Sequence, residues 1–461
     1  GQLSDVLAGL DWVIYYARYK NIRVINLSLG ADSTESHRTD PLARAVRSAV
    51  AQGLVVVVAG GNYGLNAAGK ETYGTISSPG HEPSVITVGS VNHKGTLDRA
   101  DDVLNNFSSR GPTRGAWVDA SGRRQLDNLL KPDLVAPGNR IVASLGQDTQ
   151  AAGGQRNSLA TRYPELTAGS GLAQGADRSL MMLSGTSVAA PVVAGAVALM
   201  LEANHGLTPP MVKAILQYTA VPLQGYSLVQ QGAGQLNIDG AVRLAAAIRN
   251  DMKATLDAGG TIASGSSLLW WSGATLPSPS SVINGRTVNW GRLVTAGGNR
   301  IVTGEALFRQ WQPWYDPKLQ WVRNDVRRLV VRWWPNTGNT FPMAVLSQAA
   351  PNTALLTPGV VSLVEAAGTS SLSARSGVFK PTASLAGAAG KTLAQGIILS
   401  EGIILSEGLI LSEGLILSEG IILSEGIILS EGLILSEGLI LSEAGRTNPS
   451  NPRERLVAGE P

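Results

Sequence analysis

Residues 54–59 read LVVVVA, six apolar side chains with no polar interruption. A strand with one face in water alternates apolar and polar residues, so a strand like this one has to be covered on both faces. Residues 24–29 (VINLSL) read as a further buried strand, and residues 84–91 (SVITVGSV) as another strand. Between the first two lies a helix signal: Asp40 as cap, Pro41 at the first helical position, Leu42, Val46 and Val50 on one face, and Gly53 to close. Residues 4–19 place Val6, Leu7, Leu10, Val13 and Ile14 at helical spacing, with Ser4 as the expected cap. Helices alternating with such strands predict an α/β fold, a parallel sheet covered by helices on both faces.

Residues 183–201 read LSGTSVAAPVVAGAVALML, a small-residue turn that delivers Ser187 to the mouth of an apolar helix. The helix reads as buried; it is too short to cross a bilayer and contains Pro191 and Gly195. A serine hydroxyl becomes a nucleophile only when a base takes its proton and fixed donors hold the oxyanion. Gly185 allows a tight approach, and the start of a helix points N–H groups at the reaction centre. Asn62, in AGGNYG at residues 59–64, follows the carboxyl end of a buried strand, where open α/β sheets place their sites. Cysteine is absent, which removes disulfides, thiolate nucleophiles and Cys-based metal sites.

These segments together resemble the subtilisin-like serine proteases, the subtilases, over about residues 1–250. GTSVAAP at 185–191 is similar to the family's nucleophile motif, VVVVAGGN at 55–62 to its oxyanion segment, and INLSLG at 25–30 to the strand along which substrate pairs. FSSRGPT at 107–113 and LKPDLVAPG at 130–138 are similar to segments that frame the core. The resemblance implies Ser187 as nucleophile, Asn62 in the oxyanion hole, Ser28, Leu29 and Gly30 along the substrate, and Ala59, Gly60 and Gly61 as a wall beside the scissile bond. It also implies protein or peptide substrates, no cofactor, no metal ligands that the sequence identifies, and a secreted or cell-surface protein of bacterial type. Calcium binding has no readable signature. Val188 and Val192 depart from residues common in the family, mildly in both cases.

The larger departure concerns the base. Subtilases order their triad Asp, His, Ser, and residues 1–24 already match the helix that follows the first two, so the aspartate and histidine segments are expected to precede Gly1. His37, His81, His93 and His205 lack the family's His-Gly-Thr context and read as surface or structural histidines; His81, near the pocket, calls for a geometric check. This chain by itself is then expected to hydrolyse little or nothing.

Thr208 and Pro209 open a further amphipathic helix, and residues 232–248 read as a strand end and a terminal helix. Residues 251–347 form a β-rich region holding Trp270, Trp271, Trp290, Trp311, Trp314, Trp321, Trp333 and Trp334, interleaved with Arg286, Arg292, Arg300, Arg323, Arg327, Arg328 and Arg332. That mixture suits strand cores with snorkelling arginines, or a polyanion or glycan surface. Residues 146–179 read as a surface insertion, 348–395 as an Ala/Ser/Gly linker, and 444–461 as a disordered tail.

From residue 396 to 443 the hexapeptide GIILSE or GLILSE repeats eight times. An even period puts Ile or Leu, Leu and Glu on one face of an extended chain, whereas a helix would carry a costly glycine every sixth residue. The tract is a candidate β-solenoid and a candidate for self-association, against a slippage-prone repeat with no fixed fold. Its eight glutamates lower the net charge to +3; the rest of the chain stands at +11, which does not point to nucleic acid. Two other classes of function stay open at this level: a subtilase-like binding protein without catalysis, and a structural or surface protein organised by the repeat.

Overall fold

The computed structural model describes residues 2–145, 158–168, 180–298, 300–322, 325–332 and 343–349, with residues 357, 360–362 and 382–383. The expected hexapeptide solenoid, the tail, Trp333 and Trp334, and most of the expected linker and insertion lie outside the described residues.

Helix α1 (Leu3–Lys20) leads into strand β1 (Val24–Leu27), then helix α2 (Pro41–Ala51), β2 (Val55–Ala59) and β3 (Ile86–Asn92). A short β4 (Val103–Leu104) and then β5 (Leu134–Pro137) complete a sheet in which β1, β2, β3 and β5 run parallel and β4 antiparallel. The register pairs Val24 with Val55 and Leu27 with Val58, then Val57 with Ile86 and Val88 with Leu134. Every residue of β2 and β3 is buried, as the unbroken apolar run of β2 requires.

Two helix starts test the cap readings. At α2 the Asp40 Oδ1 accepts from Leu42 N at 2.9 Å and Ala43 N at 3.0 Å, with Pro41 where its missing N–H costs nothing. At α1 the cap is Gln2 and not Ser4: the Asp5 carboxylate reaches back to the Gln2 N–H at 3.1 Å and starts the helix earlier.

The nucleophile helix, α3 (Thr186–Ala203), crosses β1, β2, β3 and β5. Ala189, Ala190, Val193, Ala196, Val197 and Met200 are buried in the core on that face. Its burial is nevertheless one-sided, contrary to the sequence reading: Pro191, Gly195, Ala198, Leu199 and Glu202 form an exposed stripe, Leu199 at 52%. It is also longer than the sequence reading allowed: its 18 residues are long and apolar enough to cross a membrane, but it is packed here as a core helix of the sheet. On the opposite side of the sheet, α1 and α2 pack Leu10, Ile14, Leu42, Val46 and Val50 against Ile25, Leu27, Val56 and Val58. Among the described residues β1 pairs only with β2, so its other edge is open.

Helix α4 (Pro209–Thr219) and helix α5 (Ile238–Ala246) finish the α/β body. Thr208 does not cap α4 with its side chain; its hydroxyl donates to the Tyr315 carbonyl at 2.6 Å and ties the β-rich region down. That region shares one core with the α/β body. Trp290, Trp311, Trp314, Trp321, Phe308 and Tyr315 join Met211, Ile215 and Tyr218 of α4, so these four tryptophans are core side chains. Arg243 lies over Trp290 and Arg300 over Trp321, while Trp270 and Trp271 are exposed.

Strands β6 (Ser280–Ile283) and β7 (Arg286–Asn289) form a hairpin, as do β8 (Val294–Ala296) and β9 (Arg300–Thr303). Strands β10 (Leu319–Val322), β11 (Asp325–Arg332) and β12 (Met343–Ala349) make an antiparallel sheet whose last two strands contact α2. Where the composition reads as a linker, the chain is fastened to the body. Val361 pairs with Thr303 of β9, Thr357 Oγ1 accepts from Gln312 Nε2 at 2.8 Å, and Thr382 N donates to the Tyr226 carbonyl at 2.7 Å.

Candidate active site

Two adjoining turns build the site. Gly185 sits at φ 148°, a backbone geometry that side chains with a Cβ rarely adopt, and its N–H donates to the Gly138 carbonyl at 2.8 Å. A Cβ on Gly138 would come within 2.7 Å of the Gly185 carbonyl, so the two glycines allow the turn to close directly over β5. Ser187 follows at the second position of α3, half-buried, with its N–H among the first-turn donors that a helix leaves unpaired. Its hydroxyl has no protein partner among the described residues.

The second turn leaves the carboxyl end of β2. Asn62 Oδ1 accepts from Thr186 N at 2.9 Å and from Thr186 Oγ1 at 3.0 Å, and Thr186 Oγ1 accepts from Gly61 N at 3.0 Å. A backbone N–H can only donate, so the bond from Thr186 N fixes which end of the Asn62 amide is oxygen. The Asn62 NH2 is thereby left without a protein acceptor among the described residues, beside the start of α3. The segment after Phe107 braces this turn: Ser109 N donates to the Gly61 carbonyl at 2.9 Å, Tyr63 N to Ser109 Oγ at 3.0 Å, and Gly64 N to the Phe107 carbonyl at 2.8 Å.

Ser28, Leu29 and Gly30 continue β1 past its last pair and are partly or fully exposed, while Ala59 and Gly60 are buried and Gly61 is half-buried. Thus the strand ends 28–30 and 59–61 lie at the carboxyl edge of neighbouring parallel strands, the side on which Ser187 and Asn62 also sit. Thr186 and Ser109 were not singled out from sequence. Both stand inside segments that were, GTSVAAP and FSSRGPT, but their roles depend on partners more than 40 residues away.

No histidine among the described residues bonds Ser187. His37, expected on a polar loop, is buried: its Nδ1 lies 3.3 Å from Glu82 Oε2, within an ion cluster completed by Arg47. Burial alone would raise the Glu82 carboxyl, but the Arg47 guanidinium and the His37 hydrogen bond hold it well below the ordinary carboxylate range. His81 is also buried; its nearest ionic partner is Asp40 Oδ2, 3.8 Å from Nε2, and neither ring nitrogen has a hydrogen bond. Burial lowers its affinity for a proton. His205 is exposed and contributes its carbonyl to Arg23 Nη1 at 3.2 Å.

The LKPDLVAPG segment supplies a second buried cluster. Asp133 Oδ2 accepts from Lys131 Nζ and from Thr87 N, each at 2.8 Å, and Oδ1 lies 2.8 Å from Lys213 Nζ. Complete burial pulls the Lys131 ammonium down to about 7 against the attraction of Asp133. The cluster ties β3, β5 and α4 together below the site. Among the described residues no group of His, Cys, Asp or Glu side chains is arranged to hold a metal.

A serine at a helix start, with an oriented amide NH2 beside it and two strand ends alongside, is the equipment for attack on a carbonyl and capture of the resulting oxyanion. Comparison with known proteins identifies the family. The sequence profile of the subtilase family matches residues 1–241.

The chain belongs to the subtilase family of serine proteases.

Serine protease AprX of Bacillus subtilis (strain 168) is 33% identical over 248 residues, covering 52% of this chain and 48% of that protein. Membrane-bound transcription factor site-1 protease of Homo sapiens is 31% identical over 226 residues, covering 48% of this chain and 16% of that protein. Among solved structures, fervidolysin from Fervidobacterium pennivorans, described as a keratinolytic enzyme related to subtilisin, is 23% identical. It aligns with a TM-score of 0.36 over 52% of this chain and 29% of its own. This subtilase thus spans about half the length of AprX and a smaller share of the others.

Proposed function

We propose that this chain is the serine-bearing body of a secreted or cell-surface subtilisin-like endopeptidase that cleaves peptide bonds through an acyl-enzyme. In this reading Ser187 Oγ attacks the scissile carbonyl, and the Asn62 NH2 with the Ser187 N–H takes up the charge that develops on its oxygen. The substrate backbone runs as a strand between residues 28–30 and 59–61. The general base and the carboxylate that orients it come from a polypeptide segment outside the described residues. The edge of β1 left unpaired among the described residues and the exposed stripe of α3 supply the surface on which that segment adds.

The observation that carries the reading is the locked Asn62 amide: three hydrogen bonds among Gly61, Asn62 and Thr186 spend its oxygen and leave its NH2 free beside Ser187. A preorganised donor of this kind is worth more to a developing oxyanion than to a ground-state carbonyl, which is how it lowers the barrier.

The test is labelling by a fluorophosphonate probe. The isolated chain should label at Ser187 about 1,000-fold or more slowly than an intact subtilase, because loss of a triad base costs at least that in serine proteases. Supplying the upstream segment, fused or in trans, should restore the rate, and Asn62→Leu should then reduce peptide hydrolysis by about 100-fold or more with little change in KM. Labelling of the isolated chain at the full rate would sink the assignment of the base to another segment.

A further inference from the structure

Asp257 and Arg286 bracket 28 residues without a single charge, in a chain of which 15% is charged. Residues 258–285 also hold no histidine, and no side-chain amide before Asn284. Near the middle of this run stand Trp270 and Trp271, 56% and 65% exposed. The other described tryptophans of the β-rich region, Trp290, Trp311, Trp314 and Trp321, are all buried.

The pair is held out on a fixed foot. Leu268 and Leu269, immediately before it, are buried. Leu268 N donates to the Arg309 carbonyl and Arg249 N to the Leu268 carbonyl, both at 2.9 Å. Ser267 Oγ donates to the Leu269 carbonyl and accepts from Leu269 N, each at 3.1 Å. Beyond the pair, Ala274 N donates to the Trp271 carbonyl at 3.0 Å, and the Trp271 ring lies so close to Gly273 that a Cβ there would stand 3.3 Å from it. Buried leucines and backbone bonds thus fix the turn while both indoles stay in water. Each has roughly 150–250 Å² to gain from burial, and two such rings side by side mark a surface that something else covers.

The chemistry of the tip narrows what that is. Sugar hydroxyls are bonded by amides and carboxylates set around an aromatic platform, and the side chains of residues 258–283 offer only hydroxyls. A polyanion needs free cations, but the two arginines whose backbones bond Leu268 are each paired with a carboxylate, Arg249 with Asp251 and Arg309 with Glu305. The headgroup boundary of a bilayer matches all of these features: it takes indole rings by preference, apolar body inward and N–H toward the wet side, and it resists charge.

We infer that Trp270 and Trp271 form a membrane-docking tip that seats this chain on the interface of a zwitterionic bilayer without spanning it. Two inserted rings give reversible attachment, and with no net charge at the foot the attachment is indifferent to salt.

Flotation of the full chain with phosphatidylcholine vesicles tests this, with folding of each variant checked by circular dichroism. The wild type should float with the vesicles to the same extent in about 0.1 M and about 1 M salt. Trp270→Ser combined with Trp271→Ser should lower the partition coefficient about tenfold or more, since it removes the inserted apolar surface. Trp270→Phe combined with Trp271→Phe should keep most of it. Ser272→Asp leaves both indoles in place and should weaken binding severalfold by putting a charge at the tip. A wild type that does not float, flotation unmoved in the folded serine variant, or flotation abolished by salt overturns the inference. So does retention on an insoluble polysaccharide without flotation, lost in the serine variant, which would assign the pair to a glycan.

Discussion

Glu82 anchors a buried ion cluster whose loss should be felt in the stability of this subtilase. The residue is fully buried, and its two oxygens are spoken for by donors of different elements. Oε2 accepts from Arg47 Nε at 3.0 Å and is also met by Arg47 Nη2, while Oε1 accepts from Ser84 N at 3.1 Å and Ser84 Oγ at 2.7 Å. Glu82→Gln keeps the shape and removes the charge. Whichever way the new amide turns, its NH2 faces donors, either the Arg47 fork or the Ser84 N–H. It also leaves a guanidinium that is 1% exposed without its counter-ion.

Removing one partner of a buried pair costs about 3–5 kcal/mol, a large part of the 5–15 kcal/mol that holds a typical domain together. Urea unfolding at pH 7 should show that loss as a lower midpoint at unchanged slope. The double variant Arg47→Met, Glu82→Met should recover much of it, since two apolar side chains replace a desolvated pair. The pH dependence follows from the sign of the shift. The folded-state pKa of Glu82 lies below its ordinary 4.5, so the unfolded chain binds the proton more readily. The stabilisation is therefore fully present above pH 4.5 and is lost as pH falls toward the folded value, and the gap between wild type and Glu82→Gln should narrow over that acid range. A Glu82→Gln chain within about 1 kcal/mol of wild type at pH 7, or a double variant that loses as much as the two single losses together, would refute this account.

Three further outcomes are expected. Gly185→Ala should destabilise by about 1–3 kcal/mol, the range for a side chain forced into a disfavoured backbone region, and a denaturant melt reads it directly. In the wild type Lys131 binds its proton less readily folded than unfolded, so stability should rise with pH between about 7 and 10.5; Lys131→Met should flatten that rise in pH-resolved urea melts. A chain ending at residue 250 should not give a monomeric, cooperatively melting species by chromatography and calorimetry. It would bare Met211, Ile215 and Tyr218, which now pack on Phe308 and Trp311.

What could be read directly was local or uniform. Strand β2 announces itself as an unbroken valine run, α2 by Asp40 and Pro41, and the nucleophile turn by Ser184 and Gly185 just before Ser187. What could not be read was set by distant partners. Asp5 outcompeted Ser4 at the start of α1 by reaching back one turn. Thr208 gave its hydroxyl to Tyr315, 107 residues on, in place of capping its own helix. His37 looks like a surface residue until Glu82 and Arg47, from two other segments, close around it. The tryptophans could not be divided into core and surface from their spacing, because the division depends on which strand face meets α4. The helix after Ser187 is apolar all round, the pattern of a fully buried helix, and its exposed stripe marks where the described residues stop covering it.

That stripe bears on how the site would be completed. Ser187 and Asn62 are held by rigid elements: the oxyanion amide by Thr186 and the brace at 107–109, the nucleophile by Gly185 over β5. Neither needs an incoming group to reach its position. On the β5 side the approach is filled by Gly138 and the Phe107–Arg110 segment, both packed against the two turns. Among the described residues the free edge of β1 offers unpaired backbone groups, and Gly195, Ala198 and Leu199 of α3 offer exposed apolar surface. A strand that added to β1 would continue the parallel sheet and place its own carboxyl end level with residues 28–30, and a helix following it could lie on the stripe with its start near Ser187. Under the proposed function, then, blocking that surface should separate binding from chemistry. Leu199→Arg should prevent an added upstream segment from restoring fluorophosphonate labelling while leaving peptide binding to residues 28–30 and 59–61 intact, and restoration at the wild-type level would show that the base arrives by another route.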